Sequence, residues 1–283
     1  MNSIDGETKI TGLIGSNIYL SKSFAMHNAA FKTLNINAKY IPMPVSKDNI
    51  SLAISGFRAL QFLGANITMP FKNKVISFLD NVTPTARDIG AVNTIFCEKG
   101  SLIGDNTDAN GFLKSLQENN VQLKNRSVYI YGAGGAARAI SYALATKGVL
   151  SFYFSNRNRH SVISIATMLK QSFPSVTVQE FTIVQDDNAL IINCTPVGMT
   201  SKSGVQQKML WPERQSFVET QTVVDIVYEP TTTPLLKKAK EDGAQTINGL
   251  GMLLYQAAES FVLWTKKEAP VEVMKNALLM ENS

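Results

Sequence analysis

The chain of 283 residues contains two cysteines, Cys97 and Cys194, and two histidines, His27 and His160. Neither cysteine belongs to a Cys-x-x-Cys pair, which excludes a disulfide framework and a cysteine-based zinc site as organising features. We expect both to be small buried residues in a reducing compartment. With so few imidazoles, a metal site and a histidine-driven mechanism are both disfavoured.

Long apolar runs, charge blocks and internal repeats are also missing. No stretch reaches the roughly 18 consecutive apolar residues of a membrane span, and residues 1–10 lack the apolar core of a signal peptide. The 27 Lys and Arg exceed the 22 Asp and Glu, but they are scattered, which disfavours a nucleic-acid surface. We therefore expect a cytoplasmic protein with no membrane or nucleic-acid partner.

Strand-like and helix-like segments alternate along the chain. In the first part the expected strands cover residues 10–14, 39–42 and 64–68, and the expected helices cover 23–34, 47–63 and 71–79. A hairpin is expected at 92–97 and 101–104, followed by a helix at 110–118. This βαβαβ order predicts a mostly parallel sheet with helices on its faces.

A second series of the same kind begins at residue 127. The expected strands cover 127–131, 151–155, 176–180, 189–193, 223–226 and 246–247, and the helices cover 135–147, 159–171 and 234–242. A final helix at 252–265 is so apolar that it needs a packing partner, and we expect it to return to the first domain. Chain length alone favours two domains.

The first turn of the second series reads Gly132-Ala-Gly134-Gly-Ala-Ala137, which matches G-x-G-x-x-G/A. Gly132 permits a tight turn, Gly134 lets a pyrophosphate approach the backbone, and Ala137 lets the helix pack closely on the strand. A tight turn in an unrelated α/β protein could read the same way, but the flanking strands and alanine-rich helix favour a dinucleotide. The expected contacts are Gly132, Ala133, Gly134, Gly135 and Ala136.

The next strand ends at Ser155-Asn156-Arg157-Asn158-Arg159, with no Asp or Glu to bind a ribose 2′-hydroxyl. Arg157 and Arg159 suit a 2′-phosphate instead, because a guanidinium pairs well with phosphate oxygens. NADP is therefore favoured over NAD. The alternative is a pair of solvated loop arginines.

Two polar junctions carry candidate acid/base groups. Lys72 opens an expected helix, where a cation is disfavoured, and this suits a lysine that exchanges protons. Asp105 and Asp108 crowd another strand-to-helix junction, where an aspartate could hold the lysine ammonium and bind a substrate hydroxyl. Spacing alone leaves open a surface lysine and an N-capping aspartate.

Several segments, in order along nearly the whole chain, resemble the shikimate dehydrogenase family. They read GANITMPFK at 64–72, GAVNT at 90–94, GDNTD at 104–108, GAGGAA at 132–137, NR at 156–157, NCTPVGM at 193–199, VYEP at 227–230 and NGLGMLLYQAA at 248–258. Together these segments are far more specific than any one of them.

The resemblance implies reversible reduction of the 3-keto group of 3-dehydroshikimate by NADPH, giving shikimate. Lys72 and Asp108 would be the catalytic pair, with Lys72 giving a proton to the carbonyl oxygen and Asp108 orienting it. The implied substrate-binding residues are Ser21, Ser23, Thr68, Asn93, Asp108, Tyr228 and Gln256. The implied cofactor contacts, beyond the glycine turn, are Asn156, Arg157, Arg159, Thr195, Gly249 and Met252.

The chain departs from the family pattern at residues 15–24, where the family usually reads G-x-P-I-x-H-S-x-S-P. Asn17, Leu20 and Phe24 replace the first proline, the histidine and the second proline. The tail from residue 248 also resembles the quinate/shikimate dehydrogenase branch. A quinate/shikimate dehydrogenase that uses NAD or NADP therefore stays an alternative.

A dehydrogenase-like ligand sensor without catalysis is an alternative of another class, although the joint presence of Lys72 and Asp108 argues against it. The expected fold is α/β, with an N-terminal βαβ substrate domain over 1–109 and a Rossmann-type doubly wound dinucleotide-binding domain over 110–248. Residues 249–283 form a C-terminal helical segment that packs on the first domain. We expect a small-molecule substrate, no metal, and a chain capable of forming a homodimer.

Overall fold

The computed structural model describes residues 4–16, 18–200 and 215–280, so Asn17 of the altered loop lies outside the described residues. The chain divides into two compact units, one joining Met1–Gly111 to Leu253–Ser283 and the other spanning Phe112–Met252. The domain limits expected from the sequence lie close to these, and the functions assigned to those domains stay a prediction. Within the described ranges, every helix is too short or too polar to cross a membrane.

The elements of the first 105 residues alternate as expected. They are β1 (Lys9–Gly15), α1 (Ser23–Thr33), β2 (Ala38–Pro44), α2 (Ile50–Ala59), β3 (Gly64–Ile67), a 3₁₀ helix (Lys74–Phe78), β4 (Asn81–Val82), α3 (Pro84–Ile89), β5 (Thr94–Glu98) and β6 (Ser101–Asp105).

The remaining elements contain the second series and the C-terminal helices. They are α4 (Asp108–Glu118), β7 (Val128–Tyr131), α5 (Gly135–Thr146), β8 (Ser151–Ser155), α6 (Arg159–Ser172), β9 (Thr177–Glu180), β10 (Leu190–Asn193), β11 (Thr222–Asp225), α7 (Pro234–Glu241), β12 (Gln245–Ile247), α8 (Leu250–Thr265) and α9 (Val271–Met280).

The sheet of the first unit is mixed, with strand order β2-β1-β3-β5-β6-β4. Strands β1, β2 and β3 run parallel, whereas the hairpin β5–β6 turns the chain back so that β5 is antiparallel to both of its neighbours. Asn66 pairs with Thr94, which pairs with Asp105. The ends of β3 and β6 and the start of β5 therefore meet at one edge of the sheet.

The sheet of the second unit is fully parallel, with strand order β12-β11-β10-β7-β8-β9. This is the strand order of a doubly wound dinucleotide-binding fold. Alternate residues of β7 and β10 face opposite sides, because successive side chains in a strand alternate. One side packs on α5 and α6 and the other on α7, so both faces are covered as the Rossmann prediction requires.

Helix α8 returns to the sheet of the first unit, as its apolar sequence predicts. The indole Nε1 of Trp264 donates a hydrogen bond to the carbonyl oxygen of Ile95 at 2.9 Å. Gly64 makes this approach feasible, because a Cβ at Gly64 would overlap the indole ring. The packing therefore requires a residue without a side chain on β3.

Some elements differ from the sequence expectation. The segment at 71–79 forms a short 3₁₀ helix over Lys74–Phe78, and β4, α3 and α9 have no counterpart among the expected elements. Strand β4 has two residues and α3 has six, so neither offers enough sequence to show a period. Helix α9 lies beyond the helix expected at 252–265, within the tail that was expected only as a helical segment. The expected burial of the cysteines is wrong for Cys97, which is exposed, and Cys194 is half-buried.

His27 lies in the aromatic core of the first unit and has no exposed surface. Its ring stacks on Tyr40 at a centroid distance of 4.4 Å and lies 5.0 Å from the ring of Trp264. Neither ring nitrogen meets hydrogen-bond geometry with any described residue. Burial lowers the pKa of His27 to about 3, and the nearby side chain of Asn66 opposes this shift only in part. His27 is therefore a neutral packing residue.

Replacing His27 with Phe should flatten the acid side of the stability profile. Between about pH 6.5 and pH 3 the unfolded chain binds a proton at His27 that the folded chain does not bind, so the wild-type free energy of unfolding falls as pH falls. The variant should lose this dependence, by at most about 1.4 kcal/mol per pH unit. Urea unfolding followed by circular dichroism at several pH values measures it. Parallel profiles for the two proteins would contradict the assignment.

Candidate active site

Lys72 lies in the turn between β3 and the 3₁₀ helix, two residues before that helix begins. Backbone contacts hold this turn against the segment that precedes β5. The N–H of Val92 donates to the carbonyl oxygen of Lys72 at 2.7 Å, and Asn73 Nδ2 donates to the carbonyl oxygen of Gly90 at 2.6 Å. The position of Lys72 is thus set by its neighbours in the turn. The sequence had suggested instead that Lys72 opens a helix, whereas the 3₁₀ helix begins at Lys74.

Asp108 opens α4, and Asn106 and Thr107 separate it from the end of β6 at Asp105. Its Oδ2 accepts a charge-assisted hydrogen bond from Lys72 Nζ at 2.5 Å. The two side chains are 16% and 7% exposed, so water screens this ion pair only weakly. The predicted pair is therefore assembled in the structure, from two segments 36 residues apart.

Asn93 and Gln256 complete the cluster around Asp108. Asn93 Nδ2 donates at 2.9 Å to Asp108 Oδ1, the carboxylate oxygen that does not bind Lys72. The same Nδ2 lies 3.4 Å from Gln256 Oε1. Gln256 in turn donates through Nε2 to the carbonyl oxygen of Leu253 at 2.9 Å. Four of the predicted site residues therefore share one hydrogen-bonded cluster.

A buried polar network lies behind this cluster, and the sequence analysis assigned none of its members to the site. Asn66 Nδ2 donates to Ser260 Oγ at 2.9 Å and to Thr94 Oγ1 at 3.1 Å. Thr107 donates through its backbone N–H to Asn93 Oδ1 at 2.8 Å. Asn66, Thr94 and Thr107 belong to the quoted motifs, but a motif does not show which of its side chains point inward together.

Ser21, Ser23 and Thr68 follow β1 and β3. Ser21 Oγ accepts from the N–H of Ser23 at 3.3 Å at the start of α1, and Ser23 is buried. The N–H of Thr68 donates to the carbonyl oxygen of Ile14 at 2.9 Å, which keeps Thr68 beside the end of β1. Since β1 and β3 are parallel neighbours, these residues and Lys72 all follow strands that end at the same edge of the sheet.

The glycine turn of the second unit has the features that a pyrophosphate needs. Gly132 has a positive φ of 98°, and a Cβ there would lie 2.9 Å from Thr195 Cγ2. Gly134 precedes α5, which has no side-chain cap, and a Cβ at Gly134 would meet nothing within 4 Å. Open space beside uncapped N–H groups at a helix start fits a bound phosphate. Ala133, Gly135 and Ala136 are partly exposed in the same turn.

The loop after β8 carries the residues that were expected to select the cofactor. Asn156, Arg157 and Arg159 are all exposed, and Asn156 Nδ2 donates to the carbonyl oxygen of Asn158 at 2.8 Å. Arg159 Nε forms an ion pair with Glu180 Oε1 at 3.1 Å. Arg159 thus has an anionic partner within the protein.

The other expected cofactor contacts lie near the ends of β10 and β11. Thr195 donates through N–H and Oγ1 to Asn193 Oδ1 at 2.9 and 2.7 Å. Gly249 donates to the carbonyl oxygen of Val227 at 3.2 Å, beside the half-buried Tyr228. Met252 is 8% exposed and packs in the core of the second unit, so only a small part of its side chain is accessible.

In the part of the chain that the structure describes, no three His, Cys, Asp or Glu side chains are grouped so that they could hold a metal ion. The polar groups at hand are the lysine, the carboxylate and amides around it, and the phosphate-binding turn of the second unit. They are suited to proton exchange and to binding a hydroxylated substrate and a dinucleotide.

Two family models match the chain. Residues 13–95 match the shikimate dehydrogenase substrate binding domain, and residues 249–279 match the shikimate 5′-dehydrogenase C-terminal domain. A protein of Carboxydothermus hydrogenoformans named shikimate dehydrogenase (NADP+) is 42% identical over 97% of this chain and 98% of its own length.

Solved structures agree with these matches. A shikimate dehydrogenase in complex with NADP+ is 38% identical to this chain, and its TM-score is 0.91. The match covers 99% of this chain and 98% of that one. A quinate dehydrogenase from Corynebacterium glutamicum in complex with NAD is 30% identical over 96% of this chain and 99% of its own, with a TM-score of 0.85. At this identity and coverage, the chain belongs to the shikimate dehydrogenase family.

Proposed function

We propose that this chain is an NADP-dependent oxidoreductase that interconverts 3-dehydroshikimate and shikimate. The observation that supports this most directly is the ion pair of Lys72 and Asp108 at one edge of the first sheet. Asn93 donates to Asp108 and also contacts Gln256. A proton donor held by a carboxylate suits the reduction of a ketone. The relatives named shikimate dehydrogenase (NADP+) support the choice of substrate and cofactor.

The polar side chains of the first unit provide hydrogen bonds for a polyhydroxylated ring with a carboxylate. We assign Ser21, Ser23 and Thr68, which start from the same sheet edge, together with Asn93, Asp108 and Gln256, to this role. The assignment of Tyr228 to the substrate stays a prediction from the sequence resemblance. A site built from such groups discriminates strongly, because a substrate without the matching hydroxyl leaves buried polar groups unpaired.

Lys72 acts as the acid/base residue in this proposal. During reduction Lys72 Nζ gives a proton to the 3-keto oxygen, and during oxidation it takes the proton back. The bound cofactor would supply the hydride as NADPH during reduction and would accept it as NADP+ during oxidation. Asp108 keeps the ammonium oriented through its Oδ2, while Asn93 fixes Asp108 through Oδ1. Each oxygen of the carboxylate therefore has a hydrogen-bond partner that orients it toward the lysine.

The second unit binds the cofactor in this proposal. The uncapped start of α5, at Gly134, Gly135 and Ala136, holds the pyrophosphate, and Gly132 and Ala133 shape the turn. Asn156, Arg157 and Arg159 bind the adenosine 2′-phosphate. Thr195, Gly249 and Met252 contribute to the remainder of the site.

Quinate is the second candidate substrate, with NAD as its cofactor. It is favoured by the similarity to the quinate dehydrogenase bound to NAD and by Leu20, which is 46% exposed next to Ser21.

A cytoplasmic location and a homodimeric state also stay predictions from the sequence.

Four parallel assays of the purified protein test the proposed function. Shikimate and quinate are each combined with NADP and with NAD, and the formation of reduced cofactor is followed by absorbance. We expect the highest kcat/KM for shikimate with NADP. A much higher kcat/KM for quinate with NAD would replace the proposed function, and ligand binding without turnover would favour the non-catalytic sensor.

Lys72→Ala should lower kcat by roughly 10²–10⁴-fold with little change in cofactor affinity, because it removes the proton donor and not the dinucleotide site. Steady-state kinetics and a titration with NADPH measure the two quantities. Lys74→Ala is the matched control, since Lys74 is an exposed lysine at the start of the 3₁₀ helix. A near-normal kcat for Lys72→Ala would remove this lysine from the mechanism.

Arg157→Gln should weaken NADP binding about tenfold and leave NAD binding unchanged, since one charge-assisted hydrogen bond to the 2′-phosphate is lost. Arg159→Gln should have the smaller effect, because the ion pair with Glu180 already engages that side chain. Affinities for both cofactors are measured by calorimetry. An equal loss of NADP and NAD affinity in Arg157→Gln would argue against 2′-phosphate recognition.

A further inference from the structure

Asp225 ends β11 and has no exposed surface. No lysine, arginine or histidine forms an ion pair with it among the residues that the structure describes. A carboxylate without a cation is costly to bury, and it persists only where hydrogen-bond donors replace water. Neither the fold nor the proposed proton transfer accounts for this group.

Three donors point at the Asp225 carboxylate from three different segments. Asn193 Nδ2, at the end of β10, and the N–H of Val227 donate to Oδ1, each at 3.0 Å. Thr233 Oγ1 donates to Oδ2 at 2.7 Å. Thr233 also caps α7, by accepting from the N–H of Leu236. Asp225 therefore joins two loops and the start of a helix.

Two of the three segments that Asp225 holds lead to residues of the proposed cofactor site. Through Asn193 it fixes Thr195, whose N–H and Oγ1 both donate to Asn193 Oδ1. Thr195 in turn contacts the glycine turn, since a Cβ at Gly132 would lie 2.9 Å from its Cγ2. Through Val227 it fixes the strand end before Tyr228 and the backbone partner of Gly249.

A further contact closes this arrangement. The N–H of Thr200 donates to the carbonyl oxygen of Glu229 at 3.0 Å, so the turn after β10 and the loop after β11 also hold each other directly. Both loops follow the carboxyl ends of parallel neighbouring strands, and that edge is where doubly wound sheets bind their ligands. The loops form one unit with Asp225 at its base.

We propose that Asp225 is a positioning residue for the dinucleotide: its carboxylate holds the turn with Thr195 and the loop with Tyr228 in the one arrangement that the cofactor binds. This inference rests on the proposed function of the second unit. Asp225 itself is buried beneath the two loops and acts through its donors.

The charge state of Asp225 supports this role. Burial raises its pKa to about 6, against the opposing effect of Thr233, Val227 and Asn193. The neighbouring titratable group is Cys194, whose thiol pKa is raised by burial and by the charge of Asp225. Tyr131 lies at the same register two strands away. The carboxylate is therefore ionised at neutral pH and accepts all three donors, whereas a protonated Asp225 would compete with one of them.

Asp225→Asn tests the inference, because it keeps the shape of the side chain and removes the charge. We expect the Kd for NADPH, measured by calorimetry, to rise about tenfold at neutral pH. Near pH 5 the two proteins should converge, since wild-type Asp225 is then protonated. The 2′-phosphate of the cofactor also titrates near pH 6, but it affects both proteins alike.

Asp242→Asn is the matched control, since Asp242 accepts from the N–H of Phe217 and pairs with Lys238 at the far end of α7. It should lower the Tm and leave the Kd for NADPH unchanged. If Asp225 were merely structural, Asp225→Asn would behave in the same way. An unchanged Kd in a folded Asp225→Asn protein overturns the inference.

A second pair of variants covers the case in which Asp225→Asn does not fold. Thr233→Val removes one donor and should weaken NADPH binding, while Thr233→Ser keeps the hydroxyl and should restore it. Equal affinities of these two variants overturn the inference. If wild-type protein itself does not bind NADPH, the proposed function fails, and this outcome is distinct from equal binding by wild type and variants.

Discussion

The ion pair of Lys72 and Asp108 is the constraint on which the arrangement of the first unit depends. Both side chains are largely withdrawn from water, so neither charge can be left without the other. Lys72 comes from the turn after β3 and Asp108 from the start of α4, and the two segments meet only because the hairpin β5–β6 brings the chain back to the same sheet edge. The ion pair can therefore form only with the mixed topology of this sheet.

Each unit holds its proposed binding residues in place by a different physical means. In the first unit, side chains fix one another through a buried network that runs from Asn66 to Asp108. In the second unit the backbone does most of this work, through the positive φ of Gly132 and the uncapped N–H groups of α5. Asp225 is the exception there, because a single side chain orders two loops.

The sequence predicts the strand and helix order of both units well, because long apolar segments show their period directly. It also predicts the glycine turn and the pairing of Lys72 with Asp108, through motifs that stand at strand ends. It does not predict the 3₁₀ helix after Lys72 or the two-residue β4, which are too short to carry a pattern. Ser260 was missed for another reason, since it reaches the site only through tertiary packing of α8.

The return of α8 to the first sheet also has a consequence for the order in which the protein is made. The second unit is one continuous stretch, Phe112–Met252, whereas the first contains the last helices of the chain. Trp264 covers β3 beside Gly64, and Ser260 closes the network behind Asn93. Synthesis proceeds from the N-terminus, and contacts distant in sequence form late. The first unit, although most of it is translated first, is therefore the unit that is completed last.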